Sequence, residues 1–348
     1  MRSFLRWGTT LVLVVVYWRS QARILTLLTR HDEVAAPRPS PRSTDHHHHD
    51  HHHTQHIQRV FVNMAFCHTA EDRLNNLKFF LRHGVTVPHR DSGLTAVHYG
   101  LVVNGACTDP VCHQRTTIGT GDDAPPIPIR LLHRDNTGFD FGQHTAMLDD
   151  LDRDGLVYDA YIFLNAGVTG PFVPAYVPPT WHWVRGFTDK LVDKVGVVST
   201  SIVCLPATDL GGFGPKIEAF AFALSAASLN IVRTHGTSFQ QHRDKTAAIL
   251  EGEYALTDTL FAHGMTIDSL LLAYQGGVVW TPDMACNQLH HPSRHGSYFG
   301  TQLHPLETLF HKEVWANKPP VLGRKTFRTY QDFVDGKHHP TLRQQHAA

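Results

Sequence analysis

The chain has 348 residues, 42% of them hydrophobic, with Lys+Arg and Asp+Glu balanced at 31 each. The balance excludes the basic footprint of a nucleic-acid binder, and the apolar content excludes a disordered chain. The length suits one large domain or two ordinary ones, and the 28 histidines would charge in part near pH 6.

Arg2 and Arg6 precede the uncharged run 7–18, and Arg19 follows it. That run is 12 residues, short of the roughly 20 that span a bilayer comfortably. Two readings stand. One is a cleaved signal peptide ending near Ser20-Gln-Ala22; the other is a short signal anchor with Trp7 and Trp18 at its two interfaces. The anchor leads, because catalytic domains on stems are usually tethered in this way. Residues 1–32 are therefore expected to be a cytosolic tip and signal anchor. The protein would then be single-pass type II in the Golgi or ER membrane, with secretion after signal cleavage as the alternative.

Residues 33–58 are rich in Pro and His, with His46–His49 and His51–His53 around Asp50. Such a segment cannot bury a core and reads as a disordered stem with loose affinity for transition metals. A metal-sensing protein built on this tract is a third-ranked reading.

The folded unit, 59–348, opens near Val60 with a short strand, Val60-Phe-Val-Asn63. Leu74, Leu77, Phe80 and Leu81 recur at helical spacing, so 71–83 is a helix closed by Gly84. Strands follow at 97–104 and 129–133, a helix at 144–151, and a strand at 161–165. Further on, 194–199 and 220–224 read as strands, 246–263 as a long helix ended by Gly264, and 267–272 as a strand. Strands alternating with helices argue an α/β class with a mostly parallel, twisted sheet and flanking helices. Cys107 and Cys112 flank a loop and are candidates for a local disulfide in an oxidising compartment; the five cysteines form no CxxC pair.

The segment Arg134-Asp-Asn-Thr-Gly-Phe-Asp-Phe-Gly142 is a polar loop running into a helix start, and the strand 161–165 ends on Asn165. Ligands of open α/β sheets sit at the carboxyl ends of strands. This places Arg134, Asn136, Asp140 and Asn165 around one crevice, with Gly138 letting backbone approach a ligand. Arg134 offers a planar donor fork for a diphosphate; Asp140 either accepts hydrogen bonds from a nucleotide or caps the helix. His290, His291, His295, His304 and His311 match no zinc-ligand spacing. Trp181, Trp183 and Trp280 read as core residues before sugar platforms. Ser199, Ser201 and Ser225 lack a nucleophile-elbow context.

The loop 134–142, Tyr158-Asp-Ala-Tyr-Ile-Phe-Leu-Asn165 and Gly170-Pro-Phe172 together resemble the rhamnan synthesis protein F family and related glycosyltransferase-like proteins of algae and bacteria. More distantly they resemble family 2 glycosyltransferases of the GT-A fold. The resemblance extends through Ile249-Leu-Glu-Gly-Glu-Tyr-Ala-Leu-Thr257 and Ala262-His-Gly264 to Ser297-Tyr-Phe-Gly300 and Leu303-His-Pro-Leu-Glu307, covering most of 60–312. It implies a GT-A-like fold and an inverting hexosyl- or deoxyhexosyltransferase. The enzyme would move a sugar from a nucleotide-sugar donor to a glycan or protein hydroxyl. It also implies a membrane setting and a role in polysaccharide biosynthesis.

Glu253 matches the position of the catalytic base, with Glu251 the nearby alternative; Tyr254 stands where a second carboxylate is usual. Asn165-Ala-Gly167 stands where family 2 enzymes carry the metal-binding Asp-x-Asp. No protein-held metal is therefore expected, and Mn²⁺ or Mg²⁺ carried in with the nucleotide sugar stays open. Arg134, Lys312 or His304 would offset the phosphate charge. The alternative is a non-catalytic nucleotide-sugar or glycan-binding protein.

Overall fold

The computed structural model describes residues 56–117 and 126–337. The expected anchor, 1–32, and nearly all of the stem, 33–58, lie outside them. Among the described residues no helix is long and apolar enough to cross a membrane.

The chain opens with β1 (Arg59–Cys67), α1 (Glu71–His83), β2 (Ala96–Asn104), β3 (Thr116–Thr117) and β4 (Ile127–Arg134). It continues with α2 (Phe139–Arg153), β5 (Ala160–Asn165), α3 (Arg185–Thr188), β6 (Val195–Ser199), the hairpin strands β7 (Ile202–Leu205) and β8 (Gly214–Ile217), and β9 (Ala221–Ser225). Next come α4 (Ala226–His235), α5 (Lys245–Ala247), a π-helix (Ala248–Tyr254), α6 (Ala255–Ala262) and β10 (Thr266–Ser269); α7 (Pro305–Thr308) and α8 (Arg324–Val334) complete the order.

The main sheet has eight strands in the order β10-β6-β9-β5-β1-β2-β4-β3. Strands β4, β2, β1 and β5 are mutually parallel, as is β6 with β10, whereas β9 runs antiparallel between β5 and β6. β1 shows why these residues form a central strand. Val60, Val62, Met64 and Phe66 face the layer of α1, and Phe61 faces the layer of α2, so alternate residues feed two cores. α1 buries Leu74, Leu77, Phe80 and Leu81 against the first core. α2 buries Phe141, Met147, Leu148 and Leu151 against the second.

From β1 the chain winds outward to β2 and β4, then returns through α2 to β5 on the other side of β1. The order of winding therefore reverses between β1 and β5, which opens a crevice beyond their carboxyl ends. The antiparallel β9 adds to it. Its preceding residue Phe220 accepts a hydrogen bond from the Asn165 N–H at 3.0 Å, bringing Ala219 and Phe220 to the same edge.

The expected helix over 246–263 is interrupted: a π-helical stretch lies between α5 and α6. Leu256 and Leu260, one turn apart, lie in α6 after that widened turn. The expected strand over 267–272 shortens to β10. Trp183 and Trp280 are buried in the core.

Two disulfides form, Cys107–Cys112 and Cys204–Cys286, the second joining positions 82 residues apart. It ties β7 to the loop before residue 287. Closing a loop of that size restricts the unfolded chain more than a short loop does. Cys286→Ser is expected to lower the unfolding free energy by roughly 2–4 kcal/mol, read from urea denaturation. An unchanged midpoint would show that this bridge is not a major staple of the fold.

Candidate functional site

A cleft of about 1130 Å³ lies over the crevice. Its head is formed by Cys67 ending β1, Asn165 ending β5, Asp140 in the first turn of α2, Ala219 and Phe220 before β9, and Glu253 and Lys312.

Glu253 sits on the π-helix, a geometry in which one turn carries an extra residue and which concentrates at functional sites. The Ala219 N–H donates to Glu253 Oε1 at 3.1 Å. Burial raises its carboxyl pKa to about 7; Lys312 pulls it partly back, and the neighbouring Glu218 pushes it up. Glu251 is exposed and does not line the cleft. Tyr254 is buried with Val203 and Leu205, so the residue standing in place of a second carboxylate is a core side chain of the hairpin β7–β8.

Lys312 lies with Nζ 3.8 Å from the Trp315 ring centroid and 5.2 Å from that of Phe220. Burial lowers its pKa, an effect opposed by Glu253, Glu218 and Asp140. Behind this pair, Glu218 is fully buried. It accepts hydrogen bonds from Ser201 Oγ at 2.6 Å, Ser293 Oγ at 2.8 Å and His291 Nδ1–H at 2.9 Å. Burial alone would raise its pKa, but these donors together bring it below the usual carboxylate value.

Asn165 donates through Nδ2 to Asp140 Oδ2 at 2.8 Å and accepts the Gly167 N–H on Oδ1 at 2.9 Å. These contacts decide how the head of the cleft suits a divalent cation. The Asn165 oxygen is taken by its own loop, and Asp140 already shares one carboxylate oxygen with Asn165. Hard divalent cations need several oxygen ligands, so this donor set does not fit a protein-held Mg²⁺ or Mn²⁺. Among the described residues no group of three or more His, Cys, Asp or Glu side chains is gathered for a metal.

Of the residues read from the sequence, Asn136, Asp140, Asn165 and Glu253 come together in the cleft, with Lys312 beside them. Besides Glu251, Arg134, Gly138 and His304 do not line it. Arg134 turns its guanidinium into its own loop, donating to the Gly142 carbonyl and, at 3.0 Å, to Thr137 Oγ1. Its fork braces the loop instead of facing a ligand. Gly138 has φ +76° at the head of α2 and bridges to His242, so its freedom serves the turn. His304 caps α7 through the Leu306 N–H and contacts Tyr330 Oη at 2.6 Å.

Arg73 and Lys245 also line the cleft, and neither stands in a motif of the sequence. Glu218 had a signal: it is a lone charge within the otherwise apolar run from Ile217 to Leu224. Beneath α2, Asn63 on β1 donates to His144 Nδ1 at 2.8 Å, and burial holds His144 neutral with its pKa lowered to about 3.

No protein-family profile matches the chain, and no curated protein does. Among solved structures, one similar chain is the mannosyltransferase PcManGT from Pyrobaculum calidifontis in complex with GDP-Man and Mn²⁺. It is 13% identical with a TM-score of 0.36, over 78% of this chain and 63% of that one. Another is the apo-form glycosyltransferase GlyE of Streptococcus pneumoniae TIGR4, 12% identical with a TM-score of 0.36, over 79% and 60%. A further structure of GlyE from Streptococcus pneumoniae TIGR4 is 12% identical with a TM-score of 0.37, over 79% and 60%. The chain thus spans about 60% of the length of these structures. Overlaps of this depth define neither topology nor chemistry.

The raised carboxyl of Glu253 has a measurable consequence. The folded chain keeps its proton up to about pH 7, whereas the ordinary value is 4.5. Its contribution to stability is therefore full below pH 4.5 and is lost as pH rises through 7. Gln mimics the protonated form and keeps an acceptor for the Ala219 N–H. Glu253→Gln is expected to be more stable than wild type near pH 8, by up to roughly 3 kcal/mol, and equally stable near pH 4. Thermal unfolding at the two pH values tests this, and a destabilised variant near pH 8 would contradict it.

Proposed function

We propose that the chain is a glycosyltransferase that moves a sugar from a nucleotide-sugar donor to a glycan or protein hydroxyl, by inverting displacement, with Glu253 as the base. One observation carries the reading: a carboxyl whose pKa is lifted to about 7 lines a large cleft at the sheet's winding reversal, beside a partly buried lysine. A general base works best when its pKa lies near the operating pH. The sequence resemblance to glycosyltransferases, carried by the segments 134–142, 158–165 and 249–257, supports the same reading.

In this mechanism Glu253 takes the proton of the acceptor hydroxyl. The oxygen attacks the anomeric carbon, and the bond from that carbon to the diphosphate breaks on the opposite side, inverting the centre. Charge develops on the departing diphosphate. Lys312 is a partly buried cation coupled to Glu253 and Asp140 and would offset that charge. Asn136 and Asp140 would hold the nucleoside. A Mn²⁺ or Mg²⁺ that arrives with the donor would add to the neutralisation, but no step needs a metal held by Asn165.

The setting proposed is the Golgi or ER membrane, with residues 1–32 as the anchor. The two disulfides favour an oxidising compartment.

Transfer from a panel of nucleotide sugars is the direct test. Activity is expected to persist in EDTA; complete loss restored by Mn²⁺ would overturn the metal-independent reading. The pH profile of kcat/KM is expected to rise with pH through about 7, because the base must be ionised. Glu253→Gln is expected to lower turnover by about 10²–10⁴-fold while nucleotide binding remains. Binding without turnover in the wild type would select the non-catalytic alternative.

A further inference from the structure

The cleft is longer than its catalytic head. α1 starts four residues past the end of β1, and α8 starts just after Gly323, whose N–H bonds Glu313, the neighbour of Lys312. At their far ends the two helices meet again: Arg82 and His83, closing α1, both bind Asp335, which follows α8, at 2.7 Å. Between them Phe79, the fully buried Phe172 and Phe327 pack in tilted and edge-on contact, with centroids 5.3 and 5.9 Å apart. The two helices therefore wall a groove leading away from Glu253 and Lys312, about 20 Å long for the 13 residues of α1.

The charges of this groove are unevenly satisfied. Asp335 is bound by Arg82, His83 and Lys337, and Asp332 by Lys337. Glu313 is bound by His311 and by the backbone N–H groups of Leu322 and Gly323. Asp72, in the first turn of α1, is the groove acid left without an ion pair among the described residues. The cations Arg73 on α1 and Arg324 and Arg328 on α8 also line the groove, and among the described residues none of them makes an ion pair. Arg324 and Arg328 are exposed and one turn apart on one helix face. A chain with no net charge has placed unpaired guanidinium groups along one groove that starts at its candidate base.

We infer that this groove binds the acceptor, and that the acceptor is an anionic glycan whose carboxylate or sulfate groups meet Arg73, Arg324 and Arg328. Planar guanidinium forks suit both kinds of group. The inference rests on the proposed glycosyl transfer for its choice of a glycan over an acidic peptide.

The test is binding of fluorescein-labelled oligosaccharides to the full chain, without turnover. Three probes are compared: a uronic-acid oligomer, a sulfated oligomer and a neutral glucose oligomer of equal length; a poly-glutamate peptide serves as the fourth. The variant is Arg324→Gln with Arg328→Gln, which keeps the stems, with circular dichroism as the check on folding. At least one anionic oligosaccharide is expected to bind about tenfold more tightly than the neutral one, and which of the two does so names the anionic group. The double variant is expected to lose about tenfold of that affinity and to keep nucleotide-sugar binding unchanged.

Equal binding of the neutral oligomer would overturn the proposal. So would poly-glutamate binding as tightly as the anionic glycans, which would show that the groove reads charge alone. Loss of nucleotide-sugar binding in the double variant would assign these cations to the donor, and also overturn it. Failure of glycosyl transfer is a separate outcome: anionic glycans binding to a protein without turnover would leave the groove assigned and remove the catalytic reading.

Discussion

Everything at the head of the cleft depends on keeping one carboxyl group half out of water. Glu253 reaches that position because the π-helical turn projects it toward the residues preceding β9, where the Ala219 N–H receives it. The turn in turn depends on Gly252. A Cβ there would lie 2.9 Å from His242 Nε2 and 3.0 Å from the Phe141 ring, so any side chain would push both rings away, and glycine lets α2 approach this closely. The loop 134–142 and the segment 249–257 are thus one physical unit, joined where Phe141 meets Gly252. Arg134 serves that unit by bracing the loop from which α2 starts.

The sheet supplies the rest of the geometry. A parallel arrangement that reverses its winding between β1 and β5 leaves a gap that side chains at strand ends can line. The antiparallel β9 then delivers Glu218, Ala219 and Phe220 to the same edge. Glu218 is costly to bury as an ion, and three side-chain donors compensate it. Its negative charge sits close enough to Glu253 to disfavour a second ionisation, while Lys312 works in the opposite sense. The protonation of the candidate base is set by burial, which Lys312 and the Ala219 N–H oppose and Glu218 reinforces.

Much of the fold was legible because periodicity is a direct consequence of burial. Leu74, Leu77, Phe80 and Leu81 fall on one face of a helix, and that spacing is visible without coordinates. The strands of the parallel core read as apolar runs for the same reason. Direction was not legible: a strand buried on both faces, such as β9, carries no mark of whether it runs parallel or antiparallel. The π-turn was hidden because a run of apolar residues over 246–263 does not show how many residues each turn contains. The partner of Cys204 was hidden because cysteine pairing across a long separation is decided by the folded chain.

At the cleft, Asn136, Asp140 and Asn165 were legible as polar residues around a strand end and a helix start, and Glu253 only through the resemblance to glycosyltransferases. Arg134 was legible as a donor but not in its direction, since the loop carbonyl that claims it cannot be seen in a sequence. Arg73, Arg324 and Arg328 were ordinary surface residues until α1 and α8 were seen to share a groove.

The most direct measurement is a ¹³C NMR titration of the Glu253 carboxyl carbon, assigned by its loss in Glu253→Gln. A midpoint near pH 7 is what burial beside Lys312 predicts. A midpoint near the ordinary 4.5 would show a solvated carboxylate and contradict its role as the base.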